Sequence, residues 1–174
     1  MKVVIAGGGF GGLRLARKLN NKPGIEVVLI DRFNYHQFQP LFYQVATAGL
    51  DASNISFPLR KVFQKSRNIR IRMALIERID AVAKKVITDA GDISYDIVVL
   101  ATGAGTNFFG NAELEANAFS MKSTVESLQI RHRLMENLEI AVSTTDPDTR
   151  KRLMNIVVVG GGPTGVEVSG ALAE

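Results

Sequence analysis

Two stretches of this chain are apolar without alternation and then stop at glycine. Lys2-Val3-Val4-Ile5-Ala6 runs into Gly7-Gly8-Gly9-Phe10-Gly11-Gly12, and Asn155-Ile156-Val157-Val158-Val159 runs into Gly160-Gly161-Gly162-Pro163-Thr164-Gly165. A continuous β-branched run suits a strand buried on both faces, as in a parallel sheet. Behind each turn the spacing becomes helical, with Leu13, Ala16 and Leu19 after the first and Val166, Gly170 and Leu172 after the second. The chain is therefore expected to open two strand-turn-helix units.

Between the repeats, residues 25–31 read as a second buried strand that ends at Asp31, and residues 68–73 as a third. Residues 75–82, 85–88 and 93–95 alternate or carry turn signals at Lys84 and Ala90-Gly91-Asp92, the pattern of an antiparallel meander. Residues 96–101 are continuous again and end at Thr102-Gly103. Residues 39–49 read as a short helix with Pro40 early and Gly49 at its exit, and residues 56–63 share that opening through Pro58. An amphipathic helix is expected over 125–142, with Leu128, Arg131, Met135, Leu138 and Val142 on helical spacing, and Asp146-Pro147 caps a short basic helix over 148–152. The fold class is α/β: a Rossmann-like domain of parallel sheet plus antiparallel meander, then the start of a second, truncated Rossmann unit. The break is expected within 143–146, dividing the chain into 1–145 and 146–174. A strand-helix-strand unit needs roughly 30 residues or more, so the second unit is expected to be incomplete and the chain to be the front of a longer protein.

Each turn has the form G-x-G-x-x-G between a strand and a helix, the context that gives this otherwise weak pattern its meaning. Gly7 permits the tight turn, Gly9 lets the backbone approach a pyrophosphate, and Gly12 lets the helix pack closely on the strand. The helix N-terminus then offers N–H groups and a positive dipole end to phosphates. An acid about 20 positions further on takes the ribose hydroxyls, and Asp31 stands there.

Composition narrows the chemistry. The 174 residues contain no cysteine, and His36 and His132 are the only histidines. Disulfides, thiolate metal sites and dithiol redox pairs are thereby excluded within the chain, a histidine-built zinc site is not expected, and redox chemistry would fall to a cofactor. No run of 18 apolar residues is present, and the apolar N-terminal run is too short for a secretory signal, so a cytoplasmic location is expected. The net charge of +4 is uneven: residues 1–72 hold 12 basic and 3 acidic side chains, and residues 73–174 hold 9 and 14. Residues 60–72 carry six cations and no acid, which reads either as a solvated surface or as a face for anionic lipid or nucleic acid.

The order of the first glycine unit, Asp31, Asn34-Tyr35-His36-Gln37-Phe38-Gln39-Pro40-Leu41-Phe42-Tyr43-Gln44-Val45-Ala46-Thr47, Ala101-Thr102-Gly103 and then Gly160-Gly161-Gly162-Pro163-Thr164-Gly165-Val166-Glu167 resembles type II NADH dehydrogenases. These are single-chain FAD enzymes of the two-dinucleotide-domain flavoprotein superfamily. The resemblance spans essentially the whole chain and is most specific at residues 40–47. It implies FAD on the first unit, with Gly7, Gly9, Phe10 and Gly12 along the pyrophosphate, Asp31 on the adenosine ribose, and Arg32 and Val82 near the adenine. It further implies Ala101, Thr102 and Gly103 beside the cofactor, Thr47 close to the isoalloxazine, and Gly160, Gly162 and Gly165 on the NADH pyrophosphate. Glu167 matches the family's acid near nicotinamide and flavin, and it is the one catalytic candidate; no metal is implied. An acid in the first turn of a helix is also favoured by the helix dipole alone, Tyr43 and Gln44 read equally as packing residues, and His36 reads as a structural histidine.

The implied reaction is hydride transfer from NADH to FAD followed by two-electron reduction of a membrane quinone, a step of the respiratory chain. The implied partners are NADH and quinone, a second copy of the chain, and a membrane held peripherally through parts outside these residues; nucleic acid is not expected. Glutathione-reductase-like enzymes carry a C-x-x-x-x-C pair where this chain has Leu41-Phe42-Tyr43-Gln44-Val45-Ala46, and sulfide:quinone oxidoreductases carry a cysteine absent here, so both lose their chemistry. A flavoprotein reductase with a soluble acceptor such as ferredoxin or rubredoxin, and a non-catalytic nucleotide-binding module, remain as alternatives.

Overall fold

The computed structural model describes all residues, Met1–Glu174. In chain order the elements are β1 (Lys2–Ala6), α1 (Phe10–Leu19), β2 (Glu26–Asp31), β3 (Tyr35–Gln37), a 3-10 turn at Gln39–Leu41 and α2 (Phe42–Ala46). A second 3-10 turn at Ala52–Asn54, β4 (Ser56–Pro58), α3 (Leu59–Val62), β5 (Ile69–Met73), β6 (Ile76–Asp80), β7 (Lys85–Thr88), β8 (Ile93–Ser94) and β9 (Ile97–Leu100) follow. Four helices complete the chain: α4 (Ala112–Asn117), α5 (Thr124–Ser143), α6 (Pro147–Leu153) and α7 (Pro163–Ala173). The chain divides into two compact units, Met1–Gln37 with Phe57–Ala104, and Phe38–Ser56 with Gly105–Glu174. The break expected at 143–146 lies inside the second unit as the α5–α6 connection.

The first unit holds a four-stranded parallel sheet in the order β5-β2-β1-β9. Side chains alternate across a strand, and here both faces are covered, which is why β1 and β2 read as unbroken apolar runs. Val3, Ile5, Val27, Leu29 and Ile69 face one way and pack with Leu13 and Ala16 of α1 and with Leu59 and Phe63. Val4, Val28 and Ile30 face the other way, against Ala74, Val86 and Ile93. The latter two belong to the antiparallel meander β6-β7-β8, which forms as expected.

The end of α1 is tied to the segment before β5 by two asparagines. Asn68 Oδ1 accepts from Asn21 N–H at 2.7 Å and from Ser66 Oγ at 3.3 Å, and Asn68 Nδ2 donates to the Leu19 and Ile25 carbonyls at 3.0 Å each. Asn21 Oδ1 in turn accepts from Arg67 N–H at 2.9 Å. Asn68 thus joins the Leu19 carbonyl at the end of the helix to the Ile25 carbonyl ahead of β2.

The second unit is helical. Phe42, Val45 and Ile55 form its small core, with Leu41, Leu50, Ala52 and Met121 against them. The α5 helix begins at Ser123, whose side chain accepts from Glu126 N–H, while Glu126 Oε2 accepts from Lys122 N–H. At α6 the expected cap forms: Asp146 accepts from the Thr149 hydroxyl and from the Asp148 and Thr149 N–H groups, and these bonds hold its carboxyl below the usual carboxylate range. No helix is long and apolar enough to cross a membrane.

Three expectations are corrected. Residues 155–159 form no strand, and Val157 and Val159 are 76% and 70% exposed; a strand needs a ladder partner, and no segment of this chain pairs with that run. The helix expected over 39–49 is a 3-10 turn followed by the five residues of α2. The helix expected from Ser56 starts only at Leu59, because Pro58 is its N-cap with φ −60° and ψ 120° and Ser56–Pro58 is extended.

Replacing Asn68 with Ala removes four side-chain hydrogen bonds, and at about 1 kcal/mol each, discounted for partial exposure, urea unfolding is expected to show a loss of about 2–3 kcal/mol. A change below about 0.5 kcal/mol would show that this clasp does not hold α1 to β5.

Candidate functional site

The first glycine turn leaves β1 at Gly7, which adopts a left-handed φ of +107°. Its N–H donates to the Ile30 carbonyl at 2.7 Å, and a Cβ built there would stand 2.2 Å from the Ala101 carbonyl oxygen. At Gly12 a Cβ would lie 1.8 Å from the Gly7 carbonyl oxygen. These two glycines are required by packing. Gly9, the N-cap of α1, differs: a Cβ there would meet nothing within 4 Å. Open space in front of a helix N-terminus is the cradle that a pyrophosphate needs and that a side chain would fill.

Asp31 ends β2 beside this turn. Its Oδ2 accepts from Gly8 N–H at 2.6 Å and its Oδ1 from Phe33 N–H at 2.8 Å. A carboxylate oxygen has two lone-pair positions, so both oxygens retain capacity for ribose hydroxyls while shaping the turn. Phe10 stands half exposed with its ring edge-on to His36 at 5.3 Å, and His36 Nδ1–H donates to the Gly8 carbonyl at 2.9 Å. His36 therefore has a structural partner, as its structural reading expects. The Arg32 guanidinium lies 4.9 Å from the Phe33 ring centroid, and Phe33 stacks on Tyr35 at 5.2 Å. Burial, and next the Asp31 charge, push the Tyr35 hydroxyl above its ordinary pKa, with Arg32 opposing. Ala101 N–H donates to the Ala6 carbonyl at 2.8 Å, which sets the 101–103 segment against the turn, and Gly103 is again left-handed at φ +75°. Thr102 Cα stands 3.0 Å from the Cβ position of Gly7. Val82 lies in the β6–β7 turn and is 98% exposed.

Gly8, the middle glycine of the triplet, also packs closely. A Cβ there would come 2.8 Å from Leu59 Cδ1 and 3.2 Å from Asp31 Oδ2, so a side chain at this position would have to displace Leu59 and crowd Asp31, whereas at Gly7 it would meet backbone. The third consecutive glycine was its only trace in the sequence.

The second turn repeats the first almost term by term. Gly160 has φ +109°, a Cβ on Gly165 would stand 2.0 Å from the Gly160 carbonyl oxygen, and Gly162 is an N-cap in front of open space. Val166 N–H donates to the Gly162 carbonyl at 3.1 Å, as Leu13 N–H does to Gly9 at 2.9 Å. The turn forms although the run before it has no ladder, because its contacts are local.

Within the second unit α2 and α7 border a groove of about 640 Å³ lined by Tyr43, Gln44, Thr47, Val166, Glu167 and Gly170, among others. Thr47 and Glu167, which are distant in sequence, thus share one site. Thr47 caps α2, its hydroxyl donating to the Tyr43 carbonyl at 3.0 Å, and Gln44 Nε2 donates to the Tyr43 hydroxyl at 3.1 Å. Ala48 next to them takes φ +65°, which a non-glycine residue rarely adopts.

A parallel sheet whose first strand feeds a G-x-G-x-x-G turn, an acid at the end of the second strand and a duplicated turn define a dinucleotide-binding α/β protein. The chain belongs to the pyridine nucleotide-disulphide oxidoreductase family, whose sequence profile matches residues 1–174. It is 39% identical to the type II NADH:quinone oxidoreductase Ndh of Mycobacterium tuberculosis over 99% of this chain and 38% of that protein. A solved structure of NDH2 from Plasmodium falciparum in complex with NADH superposes with a TM-score of 0.88 at 26% identity, over 99% of this chain and 36% of that one. The sulfide:quinone oxidoreductase of Aquifex aeolicus superposes over 79% of this chain and 32% of its own, at 33% identity and TM-score 0.70. The resemblance to type II enzymes is borne out, and the chain spans somewhat over a third of the length of those relatives. Family membership brings the fold without the disulphide, since there is no cysteine.

The two kinds of glycine are separable by experiment. Gly12→Ala is expected to cost about 3 kcal/mol or more, because backbone meets the new methyl, whereas Gly9→Ala, at φ −69° and with open space ahead, is expected to hold or gain up to about 1 kcal/mol. Thermal unfolding of both variants checks this, and equal destabilisation would contradict it.

Proposed function

We propose that this chain binds FAD on its first glycine turn and NADH on its second, and serves electron transfer from NADH to a quinone, as the names of its relatives describe for them. The observation that carries the reading is the duplicated turn: one polypeptide builds the same pyrophosphate cradle twice, which suits two dinucleotides. On this reading residues 1–145 serve the flavin and residues 146–174 open the NADH region. A bound flavin would supply the two-electron acceptor that these side chains lack.

The chain's own residues bind and orient. The first-turn N–H groups of α1 take the FAD pyrophosphate, with Gly7, Gly12 and Phe10 shaping the approach, and Asp31 accepts from the adenosine ribose. Arg32 and the backbone at Val82 border the adenine, and 101–103 closes the flavin end. Gly160, Gly162 and Gly165 repeat the cradle for NADH. In the second unit Thr47 and Glu167 line the α2–α7 groove, where an exposed carboxylate can fix the nicotinamide amide. In the net reaction NADH gives two electrons and one proton, and the quinone takes two electrons and two protons, the second from solvent. Action at a membrane face and a homo-oligomeric state belong to the same proposal.

The test is a chimaera in which these 174 residues replace the matching stretch of the Mycobacterium tuberculosis relative. It is expected to purify with FAD and to reduce a soluble quinone with NADH; a flavin-replete chimaera that leaves NADH unoxidised would refute the reading. Asp31→Ala should weaken FAD binding by about 1.5–3 kcal/mol, the value of a hydrogen bond to a charged group, as read from flavin content. Glu167→Gln should slow flavin bleaching by NADH in stopped flow while flavin content stays level. An unchanged bleaching rate would refute a role for Glu167 in the NADH half-reaction; Glu167 stands beyond the first turn of α7, where the helix dipole favours an acid little.

A further inference from the structure

The hydrogen bonds of the first glycine turn run peptide by peptide. Gly7 N–H donates to the Ile30 carbonyl at 2.7 Å, and the N–H of the buried Gly8 donates to Asp31 Oδ2 at 2.6 Å. Gly9 N–H is the first along the turn that no acceptor of the chain takes, although the Gly9 carbonyl accepts from Leu13 N–H at 2.9 Å. As the N-cap of α1, Gly9 also brings no side chain to the N–H groups that follow it. A backbone N–H is an obligatory donor, and here its neighbours are paired while it is left for a ligand.

What orients Gly9 N–H is the peptide that it shares with the Gly8 carbonyl. A trans peptide is planar, and its C=O and N–H point in opposite directions. The Gly8 carbonyl accepts from His36 Nδ1–H at 2.9 Å, so Gly9 N–H leaves the same plane on the side away from the imidazole. Because a carbonyl only accepts, Nδ1 carries a proton whether the ring is neutral or charged. The peptide joins two glycines, the residue type that least restricts rotation of the peptides beside it, and its direction is therefore set from outside. Reversed, it would aim the Gly8 carbonyl oxygen where Gly9 N–H now points and set a partial negative charge against an incoming anion. The imidazole is itself held: β3 carries it, and Phe10 meets it edge-on with 76° between the ring planes.

We propose that His36 is a positioning residue for the FAD pyrophosphate, acting through the Gly8–Gly9 peptide. It works on the donor and not on the phosphate: with Asp31 on the Gly8 N–H and His36 on the Gly8 carbonyl, both peptides of that residue are fixed and Gly9 N–H keeps one direction. The inference rests on the reading of the first turn as the FAD site. A histidine that only fills space beside Phe10 would be replaceable by another ring; one that holds the carbonyl is replaceable only by another donor.

ADP and adenosine, titrated by NMR and read at the amides of Gly9, Gly11 and Gly12, test the proposal, since only ADP brings a pyrophosphate. His36→Phe keeps a ring beside Phe10 and removes the donor; it is expected to bind ADP about tenfold more weakly, the value of one hydrogen bond, and adenosine within about twofold of the parent. His36→Asn returns an uncharged N–H donor to the Nδ1 position and is expected to recover ADP affinity to within about threefold, which neither ring packing nor imidazole charge would produce. A measurement on the unaltered chain needs no variant to fold: side-chain nitrogen spectra should show His36 Nδ1 bearing a proton. Parent-like ADP binding by His36→Phe, equal losses for ADP and adenosine, no recovery in His36→Asn, or a ring protonated on Nε2 alone would each overturn the proposal and leave the FAD reading standing. A parent chain that binds no ADP at the first turn would overturn both.

Discussion

The approach of Gly12 to the Gly7 carbonyl is the constraint on which the first unit depends. A methyl group at Gly12 would overlap that oxygen, and a methyl group at Gly7 would overlap Ala101. Glycine at both positions lets α1 start directly over β1 and lets the end of β9 close on the same turn. Once the helix sits there, Leu13 and Ala16 reach Val3, Ile5, Val27 and Leu29, and that face of the sheet is covered. The helix N-terminus is simultaneously aimed past Gly9 into open space. Packing and ligand approach are therefore two results of one close contact.

Asp31 ties the same turn to the end of β2. Bonded to Gly8 N–H and Phe33 N–H, it fixes the shape of the loop, which on the proposed reading is the shape that a ribose meets. His36 holds Gly8 from its other side through the carbonyl. The turn is in this way arranged in advance of binding, which lowers the ordering cost of taking up a dinucleotide.

Much of this was legible along the chain, for physical reasons that differ by element. β1 and β2 announced themselves because a strand covered on both faces must be apolar throughout, the edge strand β9 because its four residues are all apolar, the opposite edge strand β5 because isoleucine alternates with arginine, and the meander because alternation and turn residues coincide. The same signal misled at 156–159, where the run is as apolar as β1 but a strand is a non-local object and nothing in the chain pairs with it. The glycine turn that follows formed regardless, since all of its contacts fall within six residues. Thr47 and Glu167 could be matched to one site only through family resemblance; no local pattern tells that α2 and α7 border one groove. Asn21, Gly8 and Asn68 were invisible because their partners come from distant strands and helix ends. The short α4 helix carries a local signal in its cap, Asn111 accepting from Leu114 N–H.

The central claim is that the first glycine turn receives the FAD pyrophosphate. At 18.9 kDa the chain is within reach of amide-resolved NMR, and a titration of the 15N-labelled protein with FAD tests the claim most directly. Saturable shifts are expected at the Gly9, Phe10, Gly11 and Gly12 amides, with the Gly8 and Phe33 amides reporting the engagement of Asp31. Unmoved first-turn amides at saturating FAD, or shifts confined to residues 160–165, would contradict the account.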